Sequence, residues 1–302
     1  MTVIVLVSDE EGLQALETVP GVKPVRYTEE IPPEAAAAEV LIPGFGPPGR
    51  SLALLPRMPN LKLVQLLSAG ADQWLEVLPD GVLLSTCRGA HGGSTAEWVV
   101  AALLSLYREF DAFAATRRAR RWVPHYTDTL QGKRVLVVGA GDLGRQLRRR
   151  LEVFDTEVTM VGLTARDGVR SVDELPSLLG AHDAVVMMVP LTSRTRGMVD
   201  ASFLAAMADG AVLVNAARGP VADAAALLAE LRSGRLRAAL DVVDPEPLPA
   251  EHPLWTAPNL LLTPHVGGST HGALRRSYAV AAEEIRRYVS GELPHNLVHG
   301  EY

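Results

Sequence analysis

The sequence predicts an α/β protein of two domains. Short apolar runs alternate with helical or polar stretches along the chain. The runs lack the polar alternation of a sheet with one wet face, which suits parallel strands covered on both sides. They also fall into two series separated by one long stretch of helical spacing. With 302 residues, 48% of them hydrophobic, the chain can bury more than one core.

The first series is Val3–Val7, Val40–Ile42, Leu61–Leu67 and Val82–Thr86. The opening Met1-Thr2-Val3-Ile4-Val5-Leu6-Val7 lacks the basic leader and small-residue cleavage site of a signal peptide, so it reads as a first strand. From Ser94 to about Arg118, Trp98, Ala101, Ala102, Leu104, Ser105 and Leu106 give the spacing of one long connecting helix. The second series is Arg134–Val138, Val158–Val161, Ala184–Val189, Ala211–Asn215, Arg237–Val242 and Leu260–Thr263. A final helix, about Thr270 to Tyr288, places Leu274, Tyr278, Ala281, Ala282 and Ile285 on one face. If it packs on the amino-terminal sheet, the first domain is discontinuous, crossings near Gly92 and Gly267 form a hinge, and the cleft holds substrate. Pro43 to Pro48 and Pro245 to Pro249 read as loops.

Composition narrows the function classes. A formal charge of -6 gives no overall pull toward nucleic acid or an anionic membrane. No apolar run approaches the roughly 20 residues that span a bilayer. The single cysteine, Cys87, cannot form an internal disulfide, and no Cys/His cluster has zinc spacing, so no metal is expected and the cytoplasm is the expected compartment. Small-molecule chemistry is the remaining default.

A nucleotide site is the strongest local signal. The run Arg134–Val138 leads directly into Gly139-Ala140-Gly141-Asp142-Leu143-Gly144 and then into the helical stretch Arg145–Leu151. In such a strand–loop–helix the first glycine permits the tight turn, the second lets backbone approach a pyrophosphate, and the third lets helix and strand pack closely. The phosphate then meets the helix amino terminus. About 20 residues on, NAD-binding chains place a carboxylate for the ribose hydroxyls. Here that place falls near Gly162, and Thr164 and Arg166 offer a hydroxyl and a guanidinium for a 2′-phosphate instead. NADP(H) is therefore favoured over NAD(H).

Three polar residues each follow a strand of the second series: Arg218, Glu246 and His265. Carboxyl ends of parallel strands form the ligand crevice, so residues distant in sequence can meet there. Reduction of a 2-keto acid needs a cation for the carboxylate and a proton donor for the carbonyl oxygen. Arg218 suits the first role through its planar donors, and His265 the second. Glu246 beside His265 would favour the imidazolium and orient the ring.

The blocks Asn215-Ala216-Ala217-Arg218-Gly219, Asp241-Val242-Val243-Asp244-Pro245-Glu246-Pro247 and Thr263-Pro264-His265-Val266-Gly267-Gly268 resemble the signatures of the D-isomer-specific 2-hydroxyacid dehydrogenases. The resemblance covers nearly the whole chain. It implies two Rossmann-like domains: a flavodoxin-like, discontinuous substrate domain of residues 1–93 and 268–302, and an NAD(P)-binding Rossmann domain of residues 94–267, with an active-site cleft between them. It further implies that Asp241 meets the nicotinamide carboxamide, and that Ala216, His265 and Gly267 line the cofactor. Val189-Pro190-Leu191-Thr192, Thr195 and Thr95 would lie against the cofactor as well. Backbone amides around Ser68-Ala69-Gly70-Ala71-Asp72 would hold the substrate carboxylate, which small residues leave accessible. Homodimers joined through the nucleotide domains are usual in the family. The missing acid near Gly162 is similar to glyoxylate and hydroxypyruvate reductases that prefer NADPH. A phosphoglycerate-type dehydrogenase, with Arg88 or Arg50 meeting a phosphate, and a dinucleotide-sensing corepressor are the alternatives. With no regulatory domain after the last helix, control by an amino acid is not expected.

The remaining candidates have plainer readings. His125, His182, His252, His295 and His299 read as surface or capping residues, His271 as the start of the last helix, and His91 as a residue near the hinge able to approach substrate. Cys87 reads as a buried thiol. The arginines of 117–121 and 148–150 read as solvated. Trp74 and Trp122 suit a substrate mouth, an interface or a core equally.

Overall fold

The computed structural model describes residues 2–46 and 48–301, the side chain of Arg50 excepted. The chain divides into two compact units, Met1–His91 with Thr270–Tyr302, and Gly92–Ser269. Helices α1 (Glu10–Glu17) and α2 (Asp72–Leu75) belong to the first. Helices α3 (Gly92–Tyr107), α4 (Phe110–Arg118), α5 (Asp142–Leu151), α6 (Leu175–Leu178), α7 (Ala201–Ala206) and α8 (Ala224–Ser233) belong to the second. Helix α9 (Ala273–Val289) returns to the first. Among the described residues no helix is long and apolar enough to cross a membrane.

The first unit is built on a parallel sheet of β1 (Val3–Val7), β2 (Val22–Arg26), β3 (Val40–Ile42), β4 (Leu63–Gln65) and β5 (Leu83–Ser85), ordered β2-β1-β3-β4-β5. This is the strand order of flavodoxin-like domains. Alternate residues feed the two faces. Val5, Val7, Val40, Ile42 and Leu63 pack with Tyr278, Ala281 and Ile285 of α9, while Leu6, Leu41, Val64 and Leu84 pack with Tyr27 and Trp74. Strand β2 is absent from the sequence reading because Pro24 interrupts it. It pairs only with β1, and an edge strand tolerates the lost donor.

The second unit is built on β6 (Arg134–Val138), β7 (Glu157–Gly162), β8 (Arg170–Ser171), β9 (Ala184–Met187), β10 (Val212–Asn215), β11 (Arg237–Leu240) and β12 (Leu260–Leu262). Their order is β12-β11-β10-β9-β6-β7-β8, so the direction of winding reverses between β6 and β9. In open parallel sheets that reversal opens a crevice at the carboxyl ends of the strands. Leu136, Val185 and Leu213 face Phe203 and Leu227. Val135, Val186 and Val214 face Val99 and Leu103 of α3.

Two helical expectations need correction. The stretch from Ser94 to Arg118 is two helices, broken at Glu109, whose φ of 52 is left-handed. Helix α3 buries Val99, Leu103 and Tyr107, and the Tyr107 hydroxyl is tied to the Asp183 carbonyl at 3.1 Å. Helix α4 buries nothing. Instead Glu109 bonds His125 at 3.0 Å, and Phe113 stacks on that imidazole with centroids 4.6 Å apart. The break is set by a residue beyond α4, so periodicity inside the stretch cannot reveal it. Helix α9 begins at Ala273 behind Gly272, at φ 76, so His271 belongs to the preceding turn and does not open the helix.

Candidate active site

The glycine loop joins β6 to α5 at the winding reversal, and its three glycines have different causes. A Cβ at Gly139 would strike the Met188 backbone, and one at Gly144 the Gly139 carbonyl, so packing of the chain itself requires both. Gly141 has φ -78, and a Cβ there would meet nothing within 4 Å. Neither conformation nor protein packing demands glycine at 141, whereas a pyrophosphate approaching the backbone would. The loop therefore fits a dinucleotide on grounds independent of its pattern. Leu143 is half-buried in the first turn of α5. Asp142 points one carboxylate oxygen, buried and without a hydrogen bond, toward Gly92 at the start of α3.

At the end of β7, Gly162 stands where a ribose-binding carboxylate would be. A Cβ at Gly162 would come 3.1 Å from Arg166 Nη1, so the missing side chain leaves the space this guanidinium occupies. Arg166 Nη2 donates to the Ala140 carbonyl of the glycine loop at 3.1 Å. Thr164 is exposed in the same connection. Val189 and Pro190 follow β9, and Thr195 locks their loop: its hydroxyl donates to the Pro190 carbonyl at 2.6 Å and accepts the Thr192 N–H at 2.9 Å. Ala216 is buried just after β10, and Thr95 is buried in α3.

The catalytic candidates follow β10, β11 and β12, and two of them meet directly. His265 Nδ1 lies 2.9 Å from Glu246 Oε2. An ionised carboxylate only accepts, so Nδ1 carries the hydrogen and Nε2 is left to exchange a proton. The Glu246 bond and charge raise the His265 pKa above its usual value, against the opposing effects of burial and of Arg218. Burial alone would raise the Glu246 carboxyl. The His265 bond, the Val243 N–H at 3.0 Å and the charges of His265 and Arg218 outweigh it and hold the carboxyl low. Arg218 is thus close enough for its charge to reach both partners, while its Nη1 donates to the Ala217 carbonyl at 2.8 Å.

Asn215 and Gly219, to which the sequence assigned no role, and Asp241, expected against the nicotinamide, hold this arrangement. Buried Asn215 donates to the Arg218 carbonyl at 2.9 Å and accepts the Ala217 N–H at 3.0 Å, which shapes the turn carrying Arg218. A Cβ at Gly219 would strike the Val243 carbonyl, so only glycine lets the Arg218 turn approach the Glu246 loop. The buried Asp241 carboxylate accepts the Thr263 hydroxyl at 2.6 Å, the Val266 N–H at 2.8 Å and the Gly267 N–H at 2.7 Å. The His265 N–H donates to the Asp241 carbonyl at 2.7 Å. These bonds clamp His265 at φ 55, a left-handed conformation costly for a residue with a Cβ. A polar residue ending an apolar strand was the available signal for Asn215.

Ser68, Ala69, Gly70 and Ala71, expected to hold the substrate carboxylate, follow β4 in the first unit. There Ser68 Oγ donates to the Gly70 carbonyl at 2.8 Å, tightening the bend, and Ala71 is buried. His91 is buried, its Nε2 lying 2.8 Å from the Leu67 carbonyl and 3.1 Å from Ser277 Oγ, which ties the segment after β4 to α9. His182, expected at the surface or as a cap, is the C-cap residue of a short helix and is not at the surface. It is buried, with Nδ1 2.7 Å from the Leu178 carbonyl and Nε2 2.9 Å from Thr159 Oγ1, joining a helix end to β7. His252 caps a short helix through Leu254 N–H, as expected. Cys87 is buried, and burial pushes its thiol up to about 12. Trp74 is core, whereas Trp122 is 96% exposed, which removes the core reading for it. Arg88 bonds Asn296 and the His295 carbonyl, and the Arg50 side chain lies outside the described residues.

Residues 100–267 match the model for the NAD binding domain of D-isomer specific 2-hydroxyacid dehydrogenases. A glyoxylate reductase of Thermofilum pendens is 33% identical over 258 residues, covering 80% of this chain and 76% of that one. Among solved structures, a D-isomer specific 2-hydroxyacid dehydrogenase of Xanthobacter autotrophicus Py2, in complex with NADPH and MES, superposes with a TM-score of 0.84 at 34% identity, covering 99% of this chain and 98% of that one. An NADPH-dependent glyoxylate/hydroxypyruvate reductase of Sinorhizobium meliloti, in complex with NADP and sulfate, gives 0.84 at 28% identity, covering 99% and 98%.

Proposed function

The chain belongs to the D-isomer specific 2-hydroxyacid dehydrogenase family, and on that footing we propose that it reduces glyoxylate or hydroxypyruvate with NADPH in the cytoplasm. The observation that carries this reading is the 2.9 Å bond between His265 and Glu246, with the charge of Arg218 felt by both. When bound, the nicotinamide supplies or accepts the hydride. Arg218 clamps the substrate carboxylate and polarises the adjacent carbonyl through its planar donors. His265, kept protonated by Glu246, gives the proton on Nε2 to the carbonyl oxygen, and takes it back in the oxidative direction. Asp241, which clamps the His265 turn, would hold the carboxamide, and backbone amides of Ser68 to Ala71 would bind the substrate carboxylate.

NADPH over NADH is supported by Gly162 standing in place of a carboxylate, by Arg166 lying beside it, and by the NADPH named for the Xanthobacter and Sinorhizobium proteins. A homodimer joined through the nucleotide-binding unit belongs to the same reading, supported by Trp122 and Tyr126, both almost wholly exposed after α4.

Oxidation of NADPH and NADH, followed by absorbance against glyoxylate, hydroxypyruvate, pyruvate and phosphohydroxypyruvate, tests the proposal. NADPH consumption with the first two is expected, and no consumption with any of the four defeats it. His265→Ala should lower turnover about a hundredfold to ten-thousandfold while NADPH still binds. Near-normal turnover would remove His265 from its role.

A further inference from the structure

Resting on the NADPH reading above, we propose that Arg145 is a second cation of the cofactor site and grips the 2′-phosphate together with Arg166. The two guanidiniums come from different elements and converge on one oxygen. Arg145 Nη1 donates to the Ala140 carbonyl at 3.2 Å, and Arg166 Nη2 donates to the same carbonyl at 3.1 Å. Arg145 reaches it because side chains on a helix lean toward the amino terminus, which folds this one back over the glycine loop. Two like charges drawn to one neutral oxygen repel each other. No carboxylate among the described residues pairs with either one, whereas their neighbours Arg148 and Arg170 are bound to Glu152 at 2.7 Å and Glu174 at 3.1 Å.

Helix α5 gains nothing from a cation at this place. Arg145 is the fourth residue of the helix, close to the amino end, where the helix dipole favours negative charge. An anion resting on both guanidiniums removes both difficulties. A phosphate monoester carries about −1.5 to −2 charge near neutral pH and three acceptor oxygens. That charge matches two guanidiniums better than one, and the planar fork of each suits phosphate oxygens. Gly162, whose missing side chain makes room for Arg166, and the exposed Thr164 flank the two cations on the β7 side. Arg166 and Arg145 therefore share the discrimination between the two nicotinamide nucleotides.

Calorimetric titration with adenosine 2′,5′-bisphosphate and with adenosine 5′-diphosphate reads the contact without turnover. Wild type should bind the 2′-phosphorylated nucleotide more tightly. Arg145→Gln should weaken it about ten- to a hundredfold, the usual loss for a hydrogen bond to a charged group, and leave the 5′-diphosphate unchanged. Arg166→Gln should behave alike, Arg145→Lys should retain part of the affinity, and Arg149→Gln, exposed on the same helix, should change neither ligand. If Arg145→Gln leaves the 2′,5′-bisphosphate unaffected, or weakens both nucleotides equally, Arg145 does not touch the 2′-phosphate and the proposal is overturned. If wild type does not distinguish the two nucleotides, the NADPH reading itself fails and this one falls with it.

Discussion

Glu246 acts on His265 through one bond, and its effect has a sign that can be measured. In the proposed mechanism reduction needs the imidazolium, so its rate should fall as pH rises through the raised His265 pKa. Glu246→Gln removes the bond and the charge that do the raising, and the falling limb should move to lower pH. At neutral pH the reductive rate should drop about tenfold to a hundredfold. An unmoved limb with reduced amplitude would mean that Glu246 orients the ring without tuning it. Stability follows the same pair. The raised His265 value means its contribution is complete below 6.5 and is lost as pH rises through the folded value. The lowered Glu246 value means its contribution is present above 4.5 and is lost as pH falls through the folded value. The pair therefore stabilises most between those two limits, and modestly, since both side chains are more than a third exposed.

Elements decide what each glycine of the nucleotide loop is for. The tight turn at Gly139 and the close approach of α5 to β6 at Gly144 leave no room for a methyl group, whereas Gly141 faces open space. Gly144→Ala should destabilise the protein by about 1–3 kcal/mol or more, since backbone must move to admit the methyl. Gly141→Ala should keep wild-type thermal stability and raise the NADPH Kd on the order of tenfold or more, a loss of about 1.4 kcal/mol or more. Parallel thermal melts and NADPH titrations separate the two. A destabilised Gly141→Ala protein would contradict the assignment of that glycine to the ligand. The same local logic explains the edge position of β2, where Pro24 lacks a donor that no second neighbour would need.

At the scale of the whole molecule, two parallel sheets with different winding orders divide the work. The one ordered β2-β1-β3-β4-β5 ends β4 in the loop Ser68–Ala71, and the seven-stranded one ends β10, β11 and β12 in the turns that carry Arg218, Glu246 and His265. Past α4 the chain exposes Trp122 at 96% and also Tyr126, large aromatic surface that a lone protomer would leave in water. In the proposed homodimer these rings are covered. Sedimentation velocity should give a dimer for wild type and a shift toward monomer for Trp122→Asp. A wild-type monomer at micromolar concentration would refute that assembly.

The sequence by itself determined the class of fold, the nucleotide loop and the candidates for the catalytic groups. Apolar runs without alternation report burial on both faces, and a glycine pattern between a strand and a helix reports a turn and a close approach, all within a few neighbouring residues. Tertiary structure alone decided the break at Glu109, the burial of His182, the clamp of Asp241 on the His265 turn and the convergence of Arg145 and Arg166 on one carbonyl. Each depends on a partner 16 to 26 residues away: His125 for Glu109 at 16, Thr159 for His182 at 23, Gly267 for Asp241 at 26 and Ala140 for Arg166 at 26. Propensity and periodicity act over one or two turns of chain, whereas these pairings are set by how strands and loops from separate parts of the chain stack together.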